Sequence, residues 1–296
     1  MVKNWIQAMR LRTLPLAASG IIAGSAGMQD APRFGIVFSL ALLTALALQI
    51  FSNLANDYGD YKNGADNEHR VGPKRAVQAG LISVESMKRG LYISGAIAFC
   101  LGVSLLVVAF LMKEMYLPFF LYLGIGLLAI LFAYTYTAGD NPYGYKGLGD
   151  LSVFLFFGVI SVVSMPLLLT GELTLQSFYS MLIVGSLSTA VLHLNNLRDH
   201  ENDERAGKKT LVVRVGFARA KMMHFAWLVI AFVGALLSLL LNASKIAWYV
   251  APFVALVIHA KRVYLCEIPK DLDKELKIVA LTTFFIALLL FVSLAF

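Results

Sequence analysis

Asparagine and aspartate residues cluster at two places in the sequence, at spacings that put their oxygen atoms on one face of a helix. In the first cluster, Asn53 and Asp57 lie four residues apart, as do Asn56 and Asp60, and Asp66 follows shortly after. Side chains four residues apart are neighbours on a helix surface. If the helix continues through this segment, it carries a stripe of carboxylate and amide oxygens.

The second cluster has the same character. Asn195, Asp199 and Asp203 follow one another at intervals of four residues, so they also form a stripe. Two groups of carboxylates at one end of a helical bundle repel each other unless cations lie between them. Mg²⁺ typically takes one or two carboxylates and completes its shell with water and substrate phosphates. The clusters therefore predict a magnesium site for a phosphorylated substrate.

Basic residues accompany both clusters, as a complex of metal and diphosphate requires. A diphosphate leaving group gains negative charge as its C–O bond breaks, and nearby cations neutralise that charge. The cations within or after the clusters are Arg70, Lys74, Arg75, Arg198, Lys208 and Lys209.

The composition indicates which elements carry the clusters. Of the 296 residues, 59% are hydrophobic and only 15% are charged, against about 25% charged residues in ordinary soluble domains. This deficit indicates that the bilayer is the solvent. A spanning helix needs about 20 largely apolar residues. Nine candidate spans are present, of which the first and eighth are short: 11–28, 34–56, 91–112, 116–137, 151–170, 175–196, 222–241, 246–260 and 278–296.

The distribution of basic residues predicts the orientation, because short cytoplasmic loops carry an excess of Lys and Arg. With the N-terminus in the cytoplasm, 22 of the 25 basic residues are cytoplasmic, and only Arg33, Lys113 and Lys245 are not. The net charge of +7 is thus explained by topology rather than by nucleic acid binding. We expect one all-α domain over 1–296, a polytopic membrane bundle of nine transmembrane helices with a cytoplasmic N-terminus and polar cytoplasmic loops 57–90 and 197–221.

A single Asp-rich helix end is usually a solvated cap or turn, and topology alone explains part of the basic charge. Two stripes that end spans on the same membrane face favour a metal site instead. A transporter is a second alternative, but transporters commonly place ionisable groups near the bilayer midplane. The centres of the predicted spans hold no Asp, Glu, Lys or Arg.

With these motifs the chain resembles the UbiA-type superfamily of intramembrane aromatic prenyltransferases over nearly its whole length. Within it, the likeness is strongest to the branch that acts on 1,4-dihydroxy-2-naphthoate in menaquinone synthesis. The likeness is carried by both Asn/Asp clusters and by the segments 10–15, 139–145, 147–150 and 207–211. One departure is Leu11, where relatives often have proline, a residue that shapes a helix start.

The resemblance implies a reaction. Mg²⁺ held by the two clusters would bind an all-trans polyprenyl diphosphate, which would ionise to an allylic cation. The ring of 1,4-dihydroxy-2-naphthoate would attack this cation and lose its carboxylate as carbon dioxide, giving a demethylmenaquinol. The expected location is the bacterial cytoplasmic (inner) membrane, in contact with membrane lipid and with the active site facing the cytoplasm. Prenyl transfer to 4-hydroxybenzoate or to a haem precursor stays open, because only the acceptor pocket would differ.

The stripes and the resemblance together select the candidate site residues. The expected metal ligands are Asn56, Asp60, Asp66, Asn195, Asp199 and Asp203. The expected catalytic carboxylates are Asp57, Asp60, Asp199 and Asp203. The expected substrate-binding residues are Arg10, Arg12, Asn53, Asn56, Arg75, Tyr143, Asp150, Asn195, Arg198 and Lys208. For Tyr143 and Asp150, a plain loop or cap role is as well supported as contact with the acceptor.

The histidines show no metal-binding spacing. His193, His224 and His259 lie near the ends of predicted helices, and the sequence contains no His-Glu-x-x-His pattern. A role in the core or at a helix interface is therefore favoured over metal ligation.

Overall fold

A computed structural model describes residues 2–67, 71–242 and 248–295, and its regular secondary structure is helical throughout these ranges. A π-helical stretch, Phe154–Val163, joins the sixth and seventh α-helices. The α-helices are α1 Val2–Met9, α2 Leu14–Gly24, α3 Phe34–Lys62, α4 Val84–Ala109, α5 Tyr116–Thr135, α6 Gly149–Val153, α7 Ser164–Leu169, α8 Leu175–Arg205, α9 Leu211–Val215, α10 Phe217–Leu241, α11 Phe253–Leu265 and α12 Leu272–Ser293.

Seven helical segments are long and apolar enough to cross a membrane, and they coincide with seven of the nine predicted spans. They are Phe34–Lys62, Val84–Lys113, Tyr116–Thr135, Gly149–Leu169, Leu175–Arg205, Phe217–Leu241 and Pro269–Ser293. The predicted spans 11–28 and 246–260 fall on the shorter helices α2 and α11, of 11 and 13 residues. Residues 246 and 247 lie outside the described part. The multi-pass helical bundle is confirmed, whereas the count of nine spans stays a prediction.

The short helix α2 lies inside the bundle. Every residue from position 16 to position 24 is buried, so neighbouring helices shield it on all sides. Gly24 permits this packing, because a Cβ added there would lie 2.4 Å from the Val162 carbonyl oxygen of the π-helical stretch. The π-helical stretch also meets α8 at a pair of glycines: a Cβ on Gly158 would lie 2.8 Å from the Cα of Gly185. Small residues allow helix backbones to approach in this way in membrane proteins.

The five segments predicted to be cytoplasmic meet at one end of the bundle. The N-terminal segment contacts the end of α3 through an ion pair between Arg10 and Asp57, with 3.0 Å between nitrogen and oxygen. The segment between α5 and α6 contacts the same helix end, because the Tyr145 hydroxyl donates to Asp60 at 2.9 Å. The side chain of Asn202 on α8 donates to the Ala65 carbonyl oxygen at 3.0 Å.

The segment before α12 joins this end through Arg198, whose guanidinium donates to Asp273. The opposite end is also fastened by contacts between segments. Arg33 donates to the Val108 carbonyl oxygen, and Gln29 donates to the Phe291 carbonyl oxygen. The alternation of helix directions predicted from basic residues is therefore present in the bundle.

A row of buried side chains, three of them histidines, connects five helices near the first of these ends. His193 of α8 bonds Asp150 through Nδ1, and its ring stacks on His224 of α10 with 6.3 Å between centroids. The Nε2 atoms of His224 and His259 lie 2.8 Å apart. His259 of α11 in turn contacts Glu275 of α12 through Nδ1 at 2.7 Å. The three histidines are fully buried, as expected for a core role.

Two of the long helices differ sharply in burial. α8 crosses the middle of the bundle, and 18 of its 31 residues are buried. α5 has no buried residue along its 20 positions. Its outward face carries exposed Leu117, Leu121 and Leu128, and its other face borders a cavity. α5 is therefore a wall of that cavity rather than a part of the core.

Candidate active site

One cavity of about 870 Å³ begins at the end of the bundle where the two Asn/Asp clusters meet. Asn56 and Asp60 of α3 and Asn195, Asp199 and Asp203 of α8 all line it. Helical continuation brings the two stripes into one site, since α3 runs on to Lys62 and α8 runs on to Arg205. The stripes thus face the same space.

The cavity includes ten of the predicted site residues, and five others lie behind its wall. Those that line it are Arg10, Arg12, Asn56, Asp60, Arg75, Tyr143, Asn195, Asp199, Asp203 and Lys208. Those that do not line it are Asn53, Asp57, Asp66, Asp150 and Arg198.

Asp57 is fixed by cations and by the backbone. Its carboxylate accepts from Arg10 at 3.0 Å and from the Ala76 backbone N–H at 3.0 Å, and Arg75 Nε lies 3.6 Å away. Asn53, one turn earlier, donates from its amide to the Met9 carbonyl oxygen at 2.9 Å. Both side chains therefore hold the N-terminal segment against α3, and Asp57 holds in place two arginines that do line the cavity.

Asp66 has a related position. It is buried, and Arg75 Nε lies 3.8 Å from its carboxylate, between Asp66 and Asp57. The side chain of Arg75 thus lies against two carboxylates while it also borders the cavity. This places Asp66 behind an arginine of the site.

Asp60 faces the cavity with a different set of partners. The Tyr145 hydroxyl donates to it at 2.9 Å, and the Lys208 ammonium lies 3.5 Å away and 5.1 Å from the centroid of the Tyr145 ring. Burial, followed by the charges of carboxylates that include Asp60 and Asp203, raises the pKa of Tyr145 well above its usual range. The phenol therefore keeps its proton and remains a donor to Asp60.

The second cluster is organised by Arg198, whose side chain is only 1% exposed. It donates to both carboxylate oxygens of Asp199, at 2.9 and 2.7 Å, and to the Asn195 side-chain oxygen at 2.8 Å. A further hydrogen bond runs to Asp273 at the start of α12. A carboxylate offers about four lone-pair directions, so Asp199 retains acceptor capacity towards the cavity.

Positive charge exceeds negative charge along the described part of the cavity lining. The cations that line it are Arg10, Arg12, Arg75, Lys208, Lys274 and Lys277, and the carboxylates are Asp60, Asp199, Asp203 and Asp273. Six cations against four carboxylates leave an excess of two positive charges. The excess of positive charge suits an anionic ligand. A cation between the carboxylates would reduce their repulsion of that ligand.

The donor set fits a hard divalent cation that shares its shell with the substrate. The cavity-facing amides and carboxylates of both clusters offer oxygen ligands only. Among residues 2–67, 71–242 and 248–295, no three His, Cys, Asp or Glu side chains lie close enough together to hold a metal ion by themselves. Mg²⁺ commonly uses one or two carboxylates together with substrate phosphates. A divalent cation held by these side chains would share its shell with the phosphates of a ligand.

Tyr143 and Asp150 have separate positions. Tyr143 lines the cavity, and its hydroxyl lies 2.9 Å from the Ser152 hydroxyl. Burial raises the pKa of Tyr143 above its usual range, so this phenol also stays neutral. Asp150 lies behind the wall, where its partner is His193.

Away from the charged end the cavity is apolar. Its walls there come from α2, α3, α4, α5, α7 and the π-helical stretch, with Ile21, Ala45, Leu106, Phe157 and Leu168 among the lining side chains. A single space thus connects a region suited to a metal and phosphates with a region suited to a hydrocarbon chain. The Asn/Asp clusters at the ends of α3 and α8 border the charged region of this space.

The family model for the UbiA prenyltransferase family matches residues 13–289. The chain belongs to the UbiA prenyltransferase family. A 1,4-dihydroxy-2-naphthoate octaprenyltransferase of Haemophilus influenzae is 40% identical to it over 278 residues, which cover 92% of this chain and 89% of that protein. The enzyme of the same name from Escherichia coli is 43% identical over 221 residues, covering 74% of this chain and 71% of that protein.

Solved structures of the family share the fold of this prenyltransferase. An apo UbiA homolog from Aeropyrum pernix superimposes with a TM-score of 0.70 at 14% identity, covering 95% of this chain and 96% of that one. A UbiA homolog from Archaeoglobus fulgidus bound to GPP and Mg²⁺ gives a TM-score of 0.66 at 15% identity, covering 98% of this chain and 99% of that one. The family assignment excludes the transporter alternative.

The cavity of this prenyltransferase also contains residues that sequence reasoning did not select. Lys274 and Lys277 line it from the first turns of α12, beside Asp273. A sequence signal for them exists, since charged residues precede an otherwise apolar predicted span, but the predicted topology already accounts for lysines in this loop. Tyr136 and Asn196 also line the cavity, and no spacing in the sequence distinguishes them.

Proposed function

We propose that this prenyltransferase transfers a polyprenyl chain from polyprenyl diphosphate to 1,4-dihydroxy-2-naphthoate with loss of carbon dioxide, giving demethylmenaquinol. One observation carries the proposal: a single cavity joins the Asn/Asp clusters to a long apolar space. The diphosphate would lie at the charged end and the isoprenoid tail in the apolar part. The choice of acceptor is supported by the two relatives at 40% and 43% identity, both named as 1,4-dihydroxy-2-naphthoate octaprenyltransferases.

We infer that Mg²⁺ is the metal and that Asn56, Asp60, Asn195, Asp199 and Asp203 would hold it, since their side chains line the shared cavity. When bound, Mg²⁺ supplies positive charge that stabilises the departing diphosphate. The homolog bound to GPP and Mg²⁺ supports this choice for the family.

The chain's own residues would bind the donor and control its ionisation. Lys208, Arg12 and Arg75 line the charged end and would contact diphosphate oxygens, which stabilises the negative charge that develops as the C–O bond breaks. Tyr145 would hold Asp60 in place through its hydrogen bond. The apolar walls would exclude water, so that the ring of the acceptor rather than water captures the allylic cation.

Four predicted site residues would act through others. Asp57 and Asp66 would position Arg10 and Arg75, and Asn53 would fasten the N-terminal segment. Arg198 already makes four hydrogen bonds to protein groups. We therefore propose that it positions Asp199 and does not bind substrate.

A paired assay of the purified protein in detergent tests the function. With a polyprenyl diphosphate, Mg²⁺ and 1,4-dihydroxy-2-naphthoate, we expect prenylated product and carbon dioxide in equal amounts. Excess chelator should abolish turnover, and added Mg²⁺ should restore it. If the enzyme prenylated 4-hydroxybenzoate and not the naphthoate, the proposed acceptor would be wrong, but the proposed type of reaction, prenyl transfer to an aromatic ring, would stand. Turnover that persists in chelator would exclude the metal-dependent mechanism.

We further propose that the site faces the cytoplasm of a bacterial inner membrane, because 22 of the 25 basic residues would then be cytoplasmic. Ala79 and Glu204 are exposed positions of the two polar loops and would carry single cysteines in a variant that lacks Cys100 and Cys266. Neither new cysteine should react with an impermeant thiol reagent added to intact cells, and both should react after lysis. Labelling of intact cells at either position would reverse the orientation.

A further inference from the structure

Two glycines line the apolar part of the cavity without being required by the backbone. They are Gly102 of α4 and Gly126 of α5. A Cβ added at Gly126 meets no atom within 4 Å, and one added at Gly102 meets Thr44 Cγ2 at 3.7 Å, an ordinary contact. Neither glycine has a positive φ. Unlike Gly24 and Gly158, they are not needed for close helix packing, and what each contributes to the cavity is empty space.

Both glycines lie far from the charged end. Gly126 precedes Tyr136, which lines that end, by ten residues of sequence, or about 15 Å at the rise of an α-helix. Gly102 is level with Thr44, which precedes Asn56 by twelve residues, or about 18 Å along α3. A prenyl chain with C1 at the Asn/Asp clusters reaches this depth only after several isoprene units.

We propose that Gly102 and Gly126 determine the longest polyprenyl diphosphate that the enzyme accepts, by leaving the path of the tail open at this depth. The inference rests on the proposed function and adds a specificity determinant for the donor. A side chain at either glycine would occupy the path of a long tail, whereas the tail of a short donor would end before it. Discrimination between donors would therefore depend on length and not on the chemistry of the diphosphate.

A matched control lies on the same helix. Gly124 also has no atom within 4 Å of an added Cβ, but it does not line the cavity. It lies two residues from Gly126, on the outward face with exposed Leu117, Leu121 and Leu128. Gly124→Leu and Gly126→Leu make the same chemical change with the same gain in helix propensity. They differ in whether the new side chain enters the cavity.

The experiment compares kcat/KM for geranyl, farnesyl and geranylgeranyl diphosphate and for an octaprenyl donor, with wild type, Gly126→Leu, Gly102→Leu and Gly124→Leu. We expect Gly126→Leu and Gly102→Leu to use the shortest donors as wild type does and to lose at least about tenfold with the longest, a typical effect of one aliphatic group in an apolar pocket. Gly124→Leu should match wild type for all four donors. The shortest donor also serves as the folding control for each variant.

Three results would overturn the proposal. Equal use of all donors by Gly126→Leu and Gly102→Leu would show that the tail leaves the cavity sideways, beside α5, before it reaches these positions. Equal losses for all donors would show a general defect and not a length limit. A loss with Gly124→Leu as large as with Gly126→Leu would show that α5 itself tolerates no leucine. Failure of the wild type with every donor would instead reject the proposed function.

Discussion

The ends of α3 and α8 carry similar residues but are held in different ways. On α3, Asp57 is bound by Arg10 and by a backbone amide behind the cavity wall, while Asp60 faces the cavity with Tyr145 and Lys208. The two carboxylates of the α3 cluster, three residues apart, thus have different roles. Asp57 holds Arg10 and Arg75 in place, and Asp60 faces the space where a ligand would bind.

The α8 cluster combines both tasks in one carboxylate. Asp199 lines the cavity and also accepts two hydrogen bonds from Arg198, which is itself buried. Spacing alone therefore does not tell a positioning carboxylate from a ligand. The two clusters differ in the origin of the arginine that binds the carboxylate. Arg10 and Arg75, which bind Asp57, come from segments outside α3, whereas Arg198, which binds Asp199, belongs to α8 itself.

The largest expected effect is the loss of either cavity-facing carboxylate. Asp60→Asn and Asp199→Asn keep the side-chain size but remove a charge that would bind the metal. Loss of such a transition-state contact costs about 3 kcal/mol or more, or roughly a hundredfold in kcat. Steady-state assays at saturating Mg²⁺ measure this effect.

Glu201→Gln is the control for these two variants. The Glu201 side chain is 65% exposed and pairs only weakly with Arg205, at 3.7 Å. The Glu201→Gln variant should keep near-normal turnover, because position 201 lies off the stripe formed by Asn195, Asp199 and Asp203. Near-normal turnover of Asp60→Asn and Asp199→Asn would instead make both clusters ordinary solvated helix ends.

Arg198→Lys should have the next largest effect, because lysine cannot reproduce the planar fork that holds Asp199 and Asn195. We expect kcat to fall by about tenfold, the equivalent of 1.4 kcal/mol. Thermal unfolding in detergent should also occur at a lower temperature, since one partner of a buried ion pair is misplaced. A variant with normal stability and turnover would show that the cavity does not depend on this fork.

Asp57→Asn sharpens the contrast with Asp60. The change leaves Arg10 and Arg75 beside a neutral group, which should lower stability by about 1–3 kcal/mol and reduce turnover by only a few-fold. The comparison of Asp57→Asn with Asp60→Asn, by thermal unfolding and by kcat in parallel, separates the two roles. If Asp57→Asn were as inactive as Asp60→Asn while equally stable, Asp57 would belong to the metal-binding group.

Tyr145→Phe should have the smallest effect of the series. It removes one neutral donor to Asp60 while Lys208 stays beside the carboxylate, so we expect a loss near the lower end of a hydrogen bond's net contribution, about 0.5 kcal/mol or roughly twofold in kcat. Because the pKa of Tyr145 is raised, the phenol stays protonated across the usual assay range. The pH–rate profiles of wild type and Tyr145→Phe should therefore have the same shape at alkaline pH. A fall in rate at alkaline pH that is present in wild type and absent from the variant would assign that titration to Tyr145.

Periodicity and charge predicted much of the fold. Long apolar runs give the seven spanning helices, and the excess of Lys and Arg in alternate loops predicted which loops meet at one end. Whether the predicted spans 11–28 and 246–260 cross the membrane does not follow from hydropathy, because they fall on the short helices α2 and α11. In addition, α2 is surrounded by other helices. A short apolar run in a sequence does not reveal whether lipid or protein surrounds it.

The site was predictable to the same extent. Helical spacing predicted the two Asn/Asp stripes, because α3 and α8 continue as helices through both clusters. It did not predict that Asp57 would face Arg10, or that Lys274 and Lys277 would line the cavity from the far end of the sequence. Those facts depend on which helices are neighbours, and the spacing of residues within one helix contains no such information.

The histidine row also has a consequence for how the bundle assembles. Lipid provides no hydrophobic drive for one helix to choose another, so small residues and interhelical hydrogen bonds decide which helices associate. α8, α10, α11 and α12 each contribute one member of the chain from His193 to Glu275. Any helix placed in a wrong register would leave at least one of these polar groups without a partner in an apolar interior, at a cost of about 1–3 kcal/mol. The row therefore favours the arrangement of these four helices that the structure shows, in which each member contacts the next.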